Sequence, residues 1–191
     1  MTLHISSVFV QASRYCTKLL ALFICVSVML RVIAVTVVTA VFAAELDFVT
    51  LSSLPLEVRD AFEKSPQAKR YQLSAHINPF YLHGDFNGDG RSDTALLIKE
   101  RSSGKNGIAI YHGKSNRLII VGAGQDWGNG SDDFSGLDAW HVFHRGPVGK
   151  GADGKAPPKL RGDALMVIKT ESASALIYWN GTRYAWYQQG D

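Results

Sequence analysis

The chain has 191 residues, of which 46% are hydrophobic and 19% charged, with a formal net charge of +3. That is too apolar for a disordered polymer and too short for several full-sized domains. The positive balance belongs to residues 1–44, which hold Arg14, Lys18 and Arg31 and no acid; beyond them basic and acidic residues are equal in number, so charge gives no support to a nucleic-acid partner.

Leu19 to Leu30 and Val32 to Ala44 are apolar runs parted by Arg31, and Val41-Phe42-Ala43-Ala44 offers a small-residue cleavage site. Residues 1–44 therefore read as a signal peptide and 45–191 as one domain, periplasmic or secreted. An inner start at Met29 would make a complete short leader by itself: Met29-Leu30-Arg31, then an uncharged apolar stretch, then Ala43 and Ala44. An uncleaved anchor from Leu19 to Ala44 would set Arg31 near mid-membrane at a cost of roughly 2.5–3.5 kcal/mol, which makes it the weaker choice, and no stable membrane insertion is expected after leader removal. Cys16 and Cys25 both fall in the leader, and Ile24 stands where a lipoprotein has a small residue. The exported body thus has no thiol for a disulfide, a nucleophile or a thiolate zinc site.

After the leader, Leu54 to Lys64 is the one clear helix, with Leu54, Val58, Ala61 and Phe62 on one face, Ser53 placed to cap it and Pro66 to end it. The next segment carries the chemistry. In Asp85-Phe86-Asn87-Gly88-Asp89-Gly90-Arg91-Ser92-Asp93, carboxylate or amide oxygens fall at the first, third, fifth and ninth places and a glycine at the sixth. Calcium takes six to eight hard oxygen ligands, and alternating side chains around a glycine reversal supply them. The candidate ligands are the side chains of Asp85, Asn87, Asp89 and Asp93 and the backbone carbonyl of Arg91. Place twelve, glutamate in an EF-hand, is Leu96, and the flanks read as strands, so the expected unit is strand, loop, strand.

The residues Gly84 to Ile98 resemble the signature of the FG-GAP and VCBS repeats, calcium-loop units of integrin-type propellers and of many secreted bacterial proteins. The resemblance implies Ca2+ held by Asp85, Asn87, Asp89, Asp93 and the Arg91 carbonyl. Such repeats usually come in arrays, and no second copy of the motif occurs here, so a full propeller is not expected.

Strands are expected over Phe80–Gly84, Thr94–Glu100, Gly107–His112, Leu118–Val121, Trp140–Arg145, Ala164–Lys169, Ala175–Trp179 and Thr182–Gln188. Short glycine-containing turns between them mean antiparallel hairpins, and runs apolar on both alternating faces should be covered on both sides. Asn180-Gly181 suits a two-residue type I′ turn, which would put Trp179, Ile177 and Ala175 on one face with Thr182, Tyr184 and Trp186. That aromatic face reads as core, with a stacking platform for a sugar or partner chain as the functional reading. Gly122–Asp138 and Pro147–Gly162 remain irregular, the second as a mobile surface loop. The fold class is α+β: a predominantly antiparallel sheet of about seven or eight strands with a short N-terminal helix.

Weaker features carry less. Gly122, Gly124 and Gly128 have the wrong spacing for a phosphate loop. His141 and His144 would point to opposite faces of a strand. Asp126, Asp132, Asp133 and Asp138 form an acidic run that reads as a solvated loop or as a second ion site. Arg161-Gly162-Asp163 reads as a loop end, and the sequons at Asn129 and Asn180 follow from turn chemistry. The leading functional expectation is a non-catalytic calcium-binding module in which Ca2+ stabilises a domain that binds a protein or glycan. The alternative is a small secreted hydrolase with a site between Trp127 and His144, using Asp133, Asp138 or His141 as acid or base.

Overall fold

The computed structural model describes residues 25–33, 51–127, 131–152 and 154–190. The chain divides into units Met1–Phe48 and Val49–Asp191. In the first, residues 25–33 are helical, with Val26, Met29, Leu30 and Ile33 exposed; the expected cleavage site and Cys16 lie outside the described residues. No helix among the described residues is long and apolar enough to cross a membrane.

The second unit opens with α1, Leu56–Lys64. Its start differs from the sequence expectation: the capping residue is Pro55, not Ser53. A residue before proline is kept out of the helical region, so Leu54 cannot lie inside the helix, whereas Pro55 loses nothing by lacking an N–H at its start. Leu54 is nonetheless buried along with Val58 and Phe62. At the other end Ser65 N–H and Oγ both donate to the Phe62 carbonyl, at 3.1 and 2.7 Å, and Pro66 begins a short 3-10 turn to Lys69.

Nine strands follow among the described residues, all paired antiparallel, in two sheets. The first holds β1 (Tyr71–Leu73), β2 (Tyr81–Gly84), β3 (Asp93–Glu100), β4 (Asn106–His112) and β5 (Arg117–Gly122). One edge of β3 receives β1 opposite Ile98–Glu100 and β2 opposite Asp93–Leu96; the other pairs with β4. The second sheet is the meander β6 (Ala139–Phe143), β7 (Ala164–Lys169), β8 (Ala173–Trp179) and β9 (Tyr184–Gly190). The fold is thus mixed α+β and mostly β, with neither closed barrel nor propeller among the described residues. Two features depart from expectation: the strands divide between two sheets, and β1, three residues long, is too short to show a period.

Alternation along the strands explains the layering. Ala95 and Leu97 of β3 and Ile108 and Ile110 of β4 join Leu165, Val167, Ala175 and Ile177 of the second sheet in one buried cluster. Their neighbours Leu96, Ile98, Ala109 and Tyr111 face the other way, onto Leu54, Val58 and Phe62. The first sheet is therefore covered on both sides, as its doubly apolar strands require. Each leucine or isoleucine so buried contributes roughly 1.5–3 kcal/mol.

The β8–β9 connection corrects the two-residue turn. Trp179 pairs with Tyr184, leaving four linking residues, Asn180 to Arg183. The Asn180 side chain accepts from the N–H groups of Thr182 and Arg183 at 2.9 and 3.0 Å, and this local hydrogen bonding favours the wider loop. The register moves by two residues, so the faces survive: Ile177 and Tyr184 are in the core, with Trp179 and Trp186 packed against it.

The irregular stretch Pro147–Gly162 is likewise held down. The Tyr187 hydroxyl, on β9, accepts from Gly151 N–H at 2.7 Å and lies 3.3 and 3.2 Å from the carbonyls of Gly149 and Lys155, while Val148 and Leu160 pack on the outer face of the second sheet beside Ala164 and Leu176. Replacing Tyr187 by Phe should cost about 1–2 kcal/mol by leaving the Gly151 N–H without its acceptor. Trypsin should then cut at the exposed Lys150, Lys155 and Lys159 several-fold faster; an unchanged digestion rate would show that the hydroxyl does not restrain this loop.

Candidate metal centre

The motif forms the connection between β2 and β3, closed by the Gly84–Asp93 pair. Asp85 organises it. Its Oδ1 accepts from Gly88 and Asp89 N–H at 2.8 and 3.0 Å, and its Oδ2 from Gly90 N–H at 2.9 Å. Asn87 Oδ1 accepts from Asp89 N–H at 2.9 Å, and Asp89 Oδ1 from Arg91 N–H at 3.0 Å. Asp93, which opens β3, is fully buried; its Oδ2 accepts from Asn87 N–H at 3.2 Å and its Oδ1 from Gly113 N–H at 3.1 Å. One hydrogen-bonded bend therefore gathers Asp85, Asn87, Asp89 and Asp93, with Arg91 tied in through its N–H. Phe86, between the first two, is fully buried in the inter-sheet core and fixes where the bend sits.

The bend is clamped from the second sheet by the segment read from sequence only as a loop end. Asp163 N–H donates to the Asp85 carbonyl at 2.8 Å, and Asp163 Oδ2 accepts from Asp85 N–H at 3.2 Å. The other carboxylate oxygen accepts from Arg145 N–H at 3.0 Å and stands 3.5 Å from His144 Nδ1. Gly88, at φ +76°, passes so close to Arg161 that an added Cβ would lie 2.6 Å from the Arg161 carbonyl oxygen. His112 and Tyr184 stand behind the bend, Nε2 and hydroxyl 2.7 Å apart. Burial pushes the His112 pKa down and the Tyr184 pKa up, and the charges of Asp85 and Asp89 act on His112 in the opposite sense. Sequence reasoning missed this pair and Asp163, because long-range approach leaves no spacing signal.

The donor set is all oxygen, which suits a hard cation such as calcium. Burial pushes the Asp93 carboxyl up to about 6, the neighbouring charges of Asp89 and Asp85 adding to the effect against the two N–H donors. Among the described residues no Lys, Arg or His ion pair reaches Asp85, Asp89 or Asp93. Nor do three or more His, Cys, Asp or Glu among them form a ready metal cluster. In this arrangement the carboxylates are turned to backbone N–H groups, so a cation would have to draw also on Asn87 and on main-chain oxygen.

The acidic run further along is dispersed. Asp132 pairs with Lys105, Asp133 accepts from Asn106 and Ser135, and Asp138 accepts from Thr170 N–H and Oγ1. His141 on β6 is exposed and makes no hydrogen bond to Asp133 or Asp138. A contact not anticipated from sequence sets Ser74 Oγ 2.8 Å from His76 Nδ1, but the same hydroxyl also stands 3.3 Å from Asn106 Oδ1. Burial, then the charge of Lys99, lowers the His76 pKa. The sequon at Asn129 and Gly128 lie outside the described residues. No family model, curated protein or solved structure matches the chain.

Proposed function

We propose that this chain is an exported, non-catalytic module in which Ca2+ occupies the Asp85–Asp93 bend, orders it and stabilises a domain that binds a protein or glycan. The observation that supports this reading is the bend itself: Asp85 accepts from three N–H groups around a glycine reversal, and Asn87, Asp89 and buried Asp93 are tied into the same hydrogen-bonded loop. Asp85, Asn87, Asp89, Asp93 and the Arg91 carbonyl would hold the ion. Without a cation three nearby carboxylates repel, by about 1 kcal/mol per pair in water and more where solvent is excluded. With three carboxylates and no bidentate glutamate, the expected Kd is roughly 10⁻⁴ to 10⁻³ M, suited to compartments rich in calcium.

The test is thermal unfolding of the full chain with chelator and with calcium. At ten times Kd, bound calcium should contribute about 1.4 kcal/mol and raise Tm by roughly 3–6 °C. Asp89→Ala should abolish that rise. Melting curves that superimpose with and without calcium would overturn the proposal.

A further inference from the structure

Among the described residues β5 pairs with β4 alone, and its other edge has no partner strand. Ala123 N–H donates to the Asn106 carbonyl at 3.0 Å, and the register runs unbroken from Gly107 opposite Gly122 to His112 opposite Arg117. Hydrogen-bonded pairs alternate along an antiparallel ladder, so Arg117, Ile119 and Val121 bond to β4 while Leu118 and Ile120 turn N–H and carbonyl outward. β4 obeys the same alternation: Glu100 N–H donates to the Lys105 carbonyl at 2.8 Å, which commits Gly107, Ala109 and Tyr111 to β3. Among the described residues no hydrogen bond reaches the outward groups of Leu118 or Ile120. Sheet edges are ordinarily blunted by proline, a bulge or charge along the strand; β5 carries only Arg117, at its exposed first position.

Beside this edge an open cavity of about 680 Å³ lies between β5 and α1, lined by Leu118, Tyr111 and Asn116 on one side and by Glu57, Asp60 and Ala61 on the other. A strand laid along β5 would send alternate side chains to the cavity, on the face Leu118 shares with the α1 cluster. The others would lie beside Ile119, on the inter-sheet face. The cavity sets the chemistry of the first group. The Tyr111 hydroxyl donates to Asn116 Oδ1 at 2.6 Å and Asp60 pairs with Lys64 at 2.9 Å, so both are already engaged. The Glu57 carboxylate is in no hydrogen bond or ion pair among the described residues. Its charge reaches the cavity wall: burial, then Glu57, pushes the Tyr111 pKa up. Leu56, next to it, is 62% exposed and is the one exposed large apolar side chain among the described residues beyond residue 48. An uncompensated acid beside an apolar surface suits a long basic side chain, whose stem covers the one while its head meets the other. A second copy of β5 fits less well, because its own Leu118 and Ile120 would be brought to that carboxylate.

We infer that β5 is a docking edge for an extended peptide segment of a partner protein, which adds as a further strand and places a lysine or arginine in the cavity beside Glu57. The inference rests on the reading of the chain as a binding module and makes the partner a peptide strand. Three labelled nonapeptides, alternating threonine and valine with a central lysine, glutamine or glutamate on the threonine face, are titrated into the full chain while fluorescence anisotropy is followed. The lysine peptide should give a saturable rise. The glutamine peptide should bind roughly two- to fivefold more weakly, the ordinary worth of one exposed ion pair, and the glutamate peptide more weakly still. Glu57→Gln, at an exposed helix position, should bring the lysine peptide down to the affinity of the glutamine peptide. Leu118→Pro removes an outward N–H without breaking a bond to β4, and it should abolish binding of all three.

No saturation by the lysine peptide into the millimolar range would overturn the inference, as would equal affinity for the three peptides or an unaltered response in either variant. A wild-type chain that sediments as a dimer, and as a monomer with Leu118→Pro, would assign the edge to a second copy and overturn it equally. Unfolding curves of both variants with calcium report folding separately. If calcium raises Tm and no peptide binds, the docking edge falls and the metal centre stands. Peptide binding without any calcium response would have the opposite consequence.

Discussion

Gly162→Ala is expected to destabilise the domain by about 3 kcal/mol or more and to remove its response to calcium. A Cβ at this position would lie 2.1 Å from the Asp85 carbonyl oxygen, 2.5 Å from Gly88 N and 2.9 Å from Gly88 Cα. All three are main-chain atoms, so no rotamer change relieves the collision; the segment Arg161–Asp163 must leave the bend. Its departure breaks the Asp163 N–H bond to the Asp85 carbonyl and removes the Asp163 carboxylate from Asp85 N–H. Overpacking alone costs about 1–3 kcal/mol, and the lost hydrogen bonds add to it. Urea unfolding of the variant, with and without calcium, is the measurement. A loss under about 1 kcal/mol would mean that the two backbones do not approach as described.

Phe86→Ala should cost about 3–5 kcal/mol, much of the stability of an ordinary domain. The ring is fully buried in the cluster shared by the two sheets, and it belongs to the bend, between Asp85 and Asn87. Truncation therefore leaves a cavity and frees the loop from the core that fixes its position, so calcium affinity should fall together with stability. Phe86→Leu fills most of the space and should recover a good part of both. Urea melts and calorimetric calcium titration of the two variants decide the matter. A Phe86→Ala protein with wild-type calcium affinity would show that the loop keeps its form without this anchor.

Both variants act on contacts that link distant stretches, which is where sequence reasoning ran out. Eight strands were legible because Leu96 and Ile98, or Leu165 and Val167, repeat at the period of a strand and glycine turns part them. The bend was legible because its chemistry is local: oxygen donors two residues apart around a glycine. The turn after Trp179 was misread by two residues, since Asn180 can cap a four-residue link as readily as a two-residue one. Pro147–Gly162 looked mobile because its composition carries no period; the Tyr187 hydroxyl that holds it comes from β9.

Residue order by itself determined the helix face, the strands, the oxygen-rich bend and the charge balance beyond residue 44, because each depends on neighbours within a few positions. Only the tertiary structure decided that the strands split into two sheets, that Arg161-Gly162-Asp163 clamps the bend, that His112 and Tyr184 stand behind it, and that the outer edge of β5 is left unpaired by the described residues. These follow from close packing of segments far apart in the chain, where van der Waals fit and hydrogen-bond partners are set by approach in space and leave no periodic trace along the sequence.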